Sequence, residues 1–140
     1  MMTALWLLSV SLVAAKEPMF KTPSGNPEIV VKGKTKKELV DALADYAKSA
    51  GATVSRKSDD SLEVEKVLQV VSNSQGFGRQ MLRRNYKMID SENGVRIVCS
   101  AKTFKLVSGM ESNENDVTQG EGGKKCLETL ADFQKKLDKK

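Results

Sequence analysis

The fold is decided by Val95-Arg96-Ile97-Val98-Cys99-Ser100-Ala101-Lys102-Thr103-Phe104-Lys105-Leu106-Val107, the longest strand-like segment of the 140-residue chain. Successive side chains of a strand point to opposite faces of the sheet. The alternate apolar residues that share one face here are Val95, Ile97, Cys99 and Ala101. Asn93-Gly94 directly precedes the segment, and this dipeptide is typical of the turn of a β-hairpin. The segment therefore predicts a long strand that pairs antiparallel with the residues before the turn.

Three further strands are predicted upstream, over residues 52–57, 62–71 and 79–90. The middle one alternates between polar and apolar residues at first and becomes apolar on both faces toward its end. That change is typical of a strand that enters the interior of a sheet. Residues 58–61 predict a turn, and residues 72–78 predict a polar, glycine-rich connection.

Two amphipathic helices flank the strands. Thr35-Lys36-Lys37-Glu38 has the spacing of a capping box, and Gly51 stands where a left-handed C-cap is needed, so we predict a helix over 35–50. Residues 124–140 predict the second helix. Its apolar stripe consists of Cys126, Leu130, Phe133 and Leu137. Between strand and helix, residues 108–123 predict a polar loop that is long enough to be mobile or functional.

The order helix, four strands, helix predicts an α+β fold of two layers. Strands joined by short turns pair antiparallel, and the helices need an apolar sheet face to cover. We therefore expect a four-stranded antiparallel sheet with both helices on one face, in a single domain over 35–140. Residues 16–34 hold all three prolines and predict an extended leader, with a short edge strand at Ile29-Val30-Val31.

The first fifteen residues have the pattern of an export signal. An apolar run from Ala4 to Ala15 ends in small residues and is followed by Lys16. The run is shorter than the roughly 20 residues that span a bilayer, and Val13-Ala14-Ala15 fits a small-x-small cleavage site. We expect cleavage between Ala15 and Lys16 and a periplasmic or secreted location. The alternative is an uncleaved interfacial anchor, because no Lys or Arg precedes the run.

The only two cysteines are Cys99 and Cys126, and each lies on the apolar stripe of its own element. In an exported protein such a pair predicts a disulfide, which here would join the last helix to the longest strand. The alternative is two independent buried thiols that pack as small hydrophobic groups.

The composition excludes several kinds of chemistry. The chain contains no histidine, which excludes Ser-His-Asp and Cys-His catalysis and every metal site that uses histidine. We therefore predict no catalytic residue, no metal and no cofactor. The net charge of +5 permits attraction to anionic surfaces such as lipopolysaccharide, phospholipid head groups or nucleic acid.

A basic cluster lies in the strand predicted over 79–90. Its cations are Arg79, Arg83, Arg84 and Lys87. Alternation places Arg79, Arg83 and Lys87 on one face, where a row of three cations could hold phosphates or an anionic glycan, and Arg84 on the other. The alternative is a solvated outer face of the sheet. Nucleic acid is disfavoured because Tyr86 is the only aromatic residue among these cations.

The acidic residues of the predicted loop offer another hypothesis. They are Glu111, Glu114, Asp116 and Glu121, and their spacing does not match a calcium-binding loop. Glu111 and Glu114, with Arg84 or Lys102 as charge stabilisers, would suit a carboxylate-based hydrolase. The alternative is solvent-facing charge on a polar loop.

The N-terminal segment Thr22-Pro23-Ser24-Gly25-Asn26-Pro27-Glu28 resembles the leader of a set of small bacterial envelope lipoproteins of unknown function. These proteins also share a following helix closed by a glycine and a late strand like Gly94-Val95-Arg96-Ile97-Val98. The resemblance implies an envelope location and supplies no catalytic residues. This chain differs from those proteins at Lys16, where they carry a lipid-modified cysteine. If the resemblance holds, the chain is released by ordinary signal cleavage or has lost the lipid anchor.

Together these observations predict an exported, non-enzymatic binding or accessory protein of the bacterial envelope. Its expected partner is another envelope protein or an anionic envelope component. The alternatives are a binder of an anionic lipid, glycan or nucleic acid through residues 79–87, and a carboxylate-based hydrolase.

Overall fold

A six-stranded antiparallel sheet and two helices make up the structure, a computed structural model that describes residues 19–73 and 76–139. The elements are β1 (Glu28–Val31), α1 (Lys36–Ser49), β2 (Thr53–Lys57), β3 (Ser61–Asn73), β4 (Gly76–Ser91), β5 (Gly94–Val107), β6 (Met110–Asp116) and α2 (Glu121–Asp138). The predicted α+β class, with an antiparallel sheet and two helices, is confirmed. The expected signal, residues 1–15, and its cleavage site between Ala15 and Lys16 lie outside the described residues.

The strand order is β1-β5-β4-β3-β2, and β6 also pairs with β5. β1 pairs with the first part of β5, from Val95 to Val98, and β6 pairs with the second part, from Lys102 to Val107. β4 pairs with the other edge of β5 along almost its whole length. β5 is therefore hydrogen-bonded along both edges and lies at the centre of the fold.

The predicted number of four strands is wrong, because β1 and β6 also belong to the sheet. β6 lies inside the predicted loop 108–123. Ser108 and Gly109 both have positive φ, 50° and 78°, which is the backbone of a two-residue hairpin turn that returns the chain onto β5. The sequence of β6 is poor in strand-forming residues, and the strand exists because β5 offers an unpaired edge. The predicted connection 72–78 is also too long, since β3 runs to Asn73 and β4 begins at Gly76.

The first helix begins and ends at the predicted signals. The Thr35 hydroxyl accepts a hydrogen bond from the Glu38 N–H at 3.1 Å, and the Glu38 carboxylate accepts one from the Thr35 N–H at 2.9 Å. These two bonds satisfy amides that have no partner within the helix. Gly51 follows the helix with φ +91°, a backbone conformation that favours glycine.

The helices lie over opposite ends of the sheet. α1 contacts β2, β3 and β4, whereas α2 contacts β5 and β1. They meet where the rings of Tyr46 and Phe133 stack, with 5.7 Å between centroids. The fully buried side chains of this core include Leu39, Val40 and Leu43 of α1, Leu62 of β3, Met88 of β4, Ile97 and Cys99 of β5, and Cys126 and Leu130 of α2.

The two cysteines lie where α2 crosses β5. Cys99 and Cys126 have no exposed surface, and their Cα atoms are 6.2 Å apart. The structure therefore places the predicted pair at disulfide-bonding distance.

The predicted leader contributes to the sheet and to the packing of α2. β1 forms at the expected edge-strand residues, and its Glu28 accepts hydrogen bonds from Arg96 of β5 at 2.7 and 3.1 Å. The Gln119 side chain, just before α2, donates to the Gly25 carbonyl at 2.9 Å. Phe20 lies against Gly123 in the first turn of α2. No helix of the described residues is long and apolar enough to cross a membrane.

Candidate functional site

The three cations predicted to share one face of β4 do so, but two of them are neutralised. We call Arg79, Arg83 and Lys87 the cation row. Lys87 forms an ion pair with Asp60 at 3.0 Å. Arg83 forms ion pairs with Glu65 at 2.6 Å and Glu111 at 2.8 Å. Arg79 is exposed near the start of β4. It forms no ion pair within the described part of the chain.

Arg83 is held rigidly by its neighbours. Its guanidinium lies over the ring of Phe104, 4.4 Å from the centroid, and donates two hydrogen bonds to the Glu111 carboxylate at 3.2 and 2.8 Å. The bonds to Glu111 and Glu65 raise the pKa of Arg83, and the Arg83 guanidinium lowers the pKa of Glu111. Glu111 belongs to β6, the strand that the sequence analysis did not predict. This strand therefore supplies one of the carboxylates that pair with Arg83, the central cation of the row.

Arg84 points to the opposite face of the sheet, between the two helices. It lines a cavity of about 190 Å³ that is bounded by α1, α2, β3 and β4. The lining side chains near it include Leu43, Tyr46, Val64 and Tyr86, with Thr129 on α2 and Lys66 at one side. Alternation along β4 predicts this orientation, because Arg84 shares its face with Leu82 and Tyr86.

The charge of Arg84 has no acidic partner. Its guanidinium donates one hydrogen bond, from Nη1 to the Thr129 hydroxyl at 3.0 Å. Its Nε is buried and lacks a hydrogen-bond partner among the described residues. No ion pair joins Arg84 to a carboxylate of that same part of the chain. A half-buried cation without a counter-charge is costly in free energy, and an anion at this point would remove the cost.

The acidic groups around this cavity are already engaged. Glu65, which is part of its lining, pairs with Arg83 at 2.6 Å. The Tyr46 hydroxyl donates a short hydrogen bond to Asp132, whose carboxylate also pairs with Lys136 at 3.7 Å. Burial and this bond raise the pKa of Tyr46 to about 12. Burial also raises the pKa of Tyr86, which is almost completely enclosed. Both phenols therefore stay neutral at physiological pH. Because Tyr46 already donates its proton to Asp132, the phenol that can donate to a ligand is Tyr86.

A second, wider cavity begins at Arg84 and runs along the sheet toward the start of α2. Its volume is about 540 Å³. Its apolar lining comes from Leu68, Leu82 and Val117, and its charged rim from Asp116, Glu121 and Lys125. Because Leu82 and Arg84 line both cavities, we refer to the two together as the Arg84 groove.

Of the residues predicted for a hydrolase, the two carboxylates and Lys102 lie on one side of the sheet and Arg84 lies on the other. Glu111 binds Arg83, and Glu114 binds Lys102 at 2.8 Å on the same exposed side. Arg84 lies on the opposite face of the sheet. The two carboxylates therefore do not converge with Arg84 in one cleft. No cluster of three potential metal ligands occurs in residues 19–73 or 76–139.

Comparison of the chain with protein-family models, curated proteins and solved structures found no match.

Replacing Arg84 by methionine is expected to raise the free energy of unfolding by about 1–2 kcal/mol in the ligand-free protein. Methionine fills similar space without bringing an unpaired charge into the cavity. Urea unfolding of both proteins measures the difference. The control is Arg83→Met, which removes a paired cation from β4 and is expected to lower stability. A less stable Arg84→Met protein would show that the guanidinium has a structural role and would remove support for an anion site.

Proposed function

We propose that the protein is an exported, non-enzymatic binding protein of the bacterial envelope and that it holds an anionic component at Arg84. The observation that carries this proposal is the partly buried guanidinium of Arg84, which has no acidic partner among the described residues and lies where two cavities meet. The cation row is the weaker candidate, because Arg83 and Lys87 already have acidic partners.

Two observations support an envelope location. The apolar residues 4–15 followed by Lys16 fit an export signal. Cys99 and Cys126 lie at disulfide-bonding distance, and structural disulfides persist in oxidising compartments.

The chemistry of the groove supports binding over turnover. The Thr129 hydroxyl and the neutral phenol of Tyr86 line the groove with Arg84 and can donate hydrogen bonds to an anion as the guanidinium does. The acidic Asp132 is held by Tyr46 and Lys136. The groove thus offers donors for an oxyanion. Of the carboxylates in its lining, Glu65 pairs with Arg83 and Glu121 with Lys124, and Asp116 accepts a hydrogen bond from the Thr118 N–H.

The test is calorimetric titration of the full chain with phosphate, sulfate and butyrate at constant ionic strength. At least one of these anions is expected to bind, and Arg84→Gln is expected to weaken that binding at least about tenfold, as expected for the loss of a charged hydrogen-bond donor. Constant ionic strength keeps general screening of the +5 charge the same throughout.

The matched control is Arg56→Gln, because Arg56 is exposed on β2 and its replacement changes the net charge by the same amount. It should bind the anion as the unaltered protein does. Equal loss in both variants would indicate general electrostatic attraction, and no binding of any of the three anions would refute the site. Circular dichroism of each variant shows that it is folded.

A further inference from the structure

The wider part of the Arg84 groove is apolar along the side that leads away from the guanidinium. Leu82 lies next to Arg84, and Leu68 and Val117 continue the apolar lining. An inorganic anion would occupy only the space around Arg84. The cavity that begins at Arg84 has a volume of about 540 Å³, which is of the size of a small-molecule site, so an inorganic anion would leave most of it filled with water.

The groove leads to the most apolar exposed region of the described sheet, which we call the apolar end. Its exposed side chains on the face of Arg84 are Leu68, Val107 and Met110. Leu68 belongs to both regions, since it lines the groove and is 51% exposed. Leu68 thus extends the apolar lining of the groove to an exposed part of the sheet, where the apolar surface of a ligand can enter.

We propose that the ligand is an anionic amphiphile, with an acidic head group at Arg84 and an unbranched apolar chain over Leu82 and Leu68. This inference rests on the proposed function, because it requires an anion at Arg84. The charge pattern favours this occupant, since Arg84 lacks an acidic partner among the described residues and lies beside the apolar lining formed by Leu82 and Leu68. Lys66 and Lys125 add positive charge to the lining of the groove. The chemistry is shared by free fatty acids and by single-chain phospholipids.

A nucleic-acid occupant fits the groove less well. Stacking of bases requires exposed aromatic faces, and the two tyrosines here are Tyr46, which stacks on Phe133, and Tyr86, which is buried. Repeated phosphates also need several unpaired cations in a line, whereas the cation row is largely paired.

The test is a chain-length series of carboxylates from acetate to decanoate, titrated calorimetrically below their micelle concentrations. Affinity is expected to rise about fourfold for each methylene that leaves water for the groove, until the groove is full. Octyl phosphate and octyl sulfate, beside octanoate, identify the preferred head group and so separate a phospholipid source from a fatty acid. Octanol, which has the chain but no charge, is expected to bind at least about tenfold more weakly than octanoate.

Two variants locate the chain. Leu68→Asp places a carboxylate in the groove at a partly exposed position and is expected to abolish the rise in affinity with chain length. Val70→Asp is the matched control, because Val70 is 62% exposed on the same strand but lies beside Arg79 and outside the groove. It should leave the whole series unchanged.

Each outcome decides one proposal. A series of equal affinities that still depends on Arg84 would overturn the amphiphile and leave the anion site standing. A rise with chain length that survives Arg84→Gln and includes octanol would mean non-specific apolar binding and would overturn it as well. The absence of binding by every compound would refute both the inference and the proposed function.

Discussion

Replacing Cys99 and Cys126 together by alanine lowers the free energy of unfolding by about 3.5 kcal/mol, the loop-closure estimate for a disulfide that spans 27 positions. The bond would connect α2 to β5. Without it, the unfolded chain would gain conformational entropy, which lowers the free energy of unfolding. Urea unfolding at neutral pH, under non-reducing conditions, measures the difference. This is one of the two largest effects we expect, because it removes a connection between the halves of the core.

Reductant provides the control for the cysteine experiment. Dithiothreitol should lower the stability of the unaltered protein nearly to that of the double variant and leave the double variant unchanged. Intact mass before reduction should be two protons below the fully reduced mass. An unaltered protein with two free thiols and no response to reductant would contradict the prediction and favour the alternative of independent buried thiols.

Replacing Gly123 by alanine is expected to cost about 3 kcal/mol or more, because the added methyl group has no space. A Cβ at this position would overlap the Thr118 carbonyl oxygen and lie 2.7 Å from the Phe20 ring. Thr118 cannot easily move away, since its hydroxyl donates to the Ala101 carbonyl at 3.2 Å and accepts from the Ala101 N–H at 2.9 Å. Thermal unfolding, followed by circular dichroism, measures the loss.

Gly120→Ala is the matched control, three residues earlier at the start of the same helix. The only atom near an added Cβ there is the Val117 carbonyl oxygen, at 4.0 Å, so the change is expected to cost less than about 1 kcal/mol. Similar stability losses in the two variants would show that neither glycine at the start of α2 can be replaced by a residue with a side chain. A neutral Gly123→Ala would show that α2 does not pack this closely against residues 117–118.

The parts of the fold that local signals determine could be predicted from the sequence. Thr35 and Glu38 mark the start of α1, Gly51 marks its end, and Asn93-Gly94 marks the β4–β5 turn. β6 could not be found from its composition, because its side chains are exposed and, apart from Met110, polar. The usable signal was Ser108-Gly109, a turn dipeptide directly after the long strand.

The candidate site could be predicted from the sequence only in part. Alternation along β4 correctly separated Arg84 from Arg83, and a cation among inward-facing residues was a signal worth following. Which cation is free, however, depends on residues far away in the chain. Glu65 and Glu111 approach Arg83 only through the pairing of β3 with β4 and of β6 with β5. The sequence could therefore name the cations but could not say which of them lacks a partner.

The pairing of β1 with β5 has a consequence for the order of folding. Glu28 lies opposite Val98, although α1, β2, β3 and β4 come between them in the chain. The hairpins β3–β4 and β4–β5 need only short loops, whereas β1 must wait until β5 presents its edge. The first strand of the chain is thus among the last to dock, and until it does, residues 95–98 of β5 remain open to pairing with other chains.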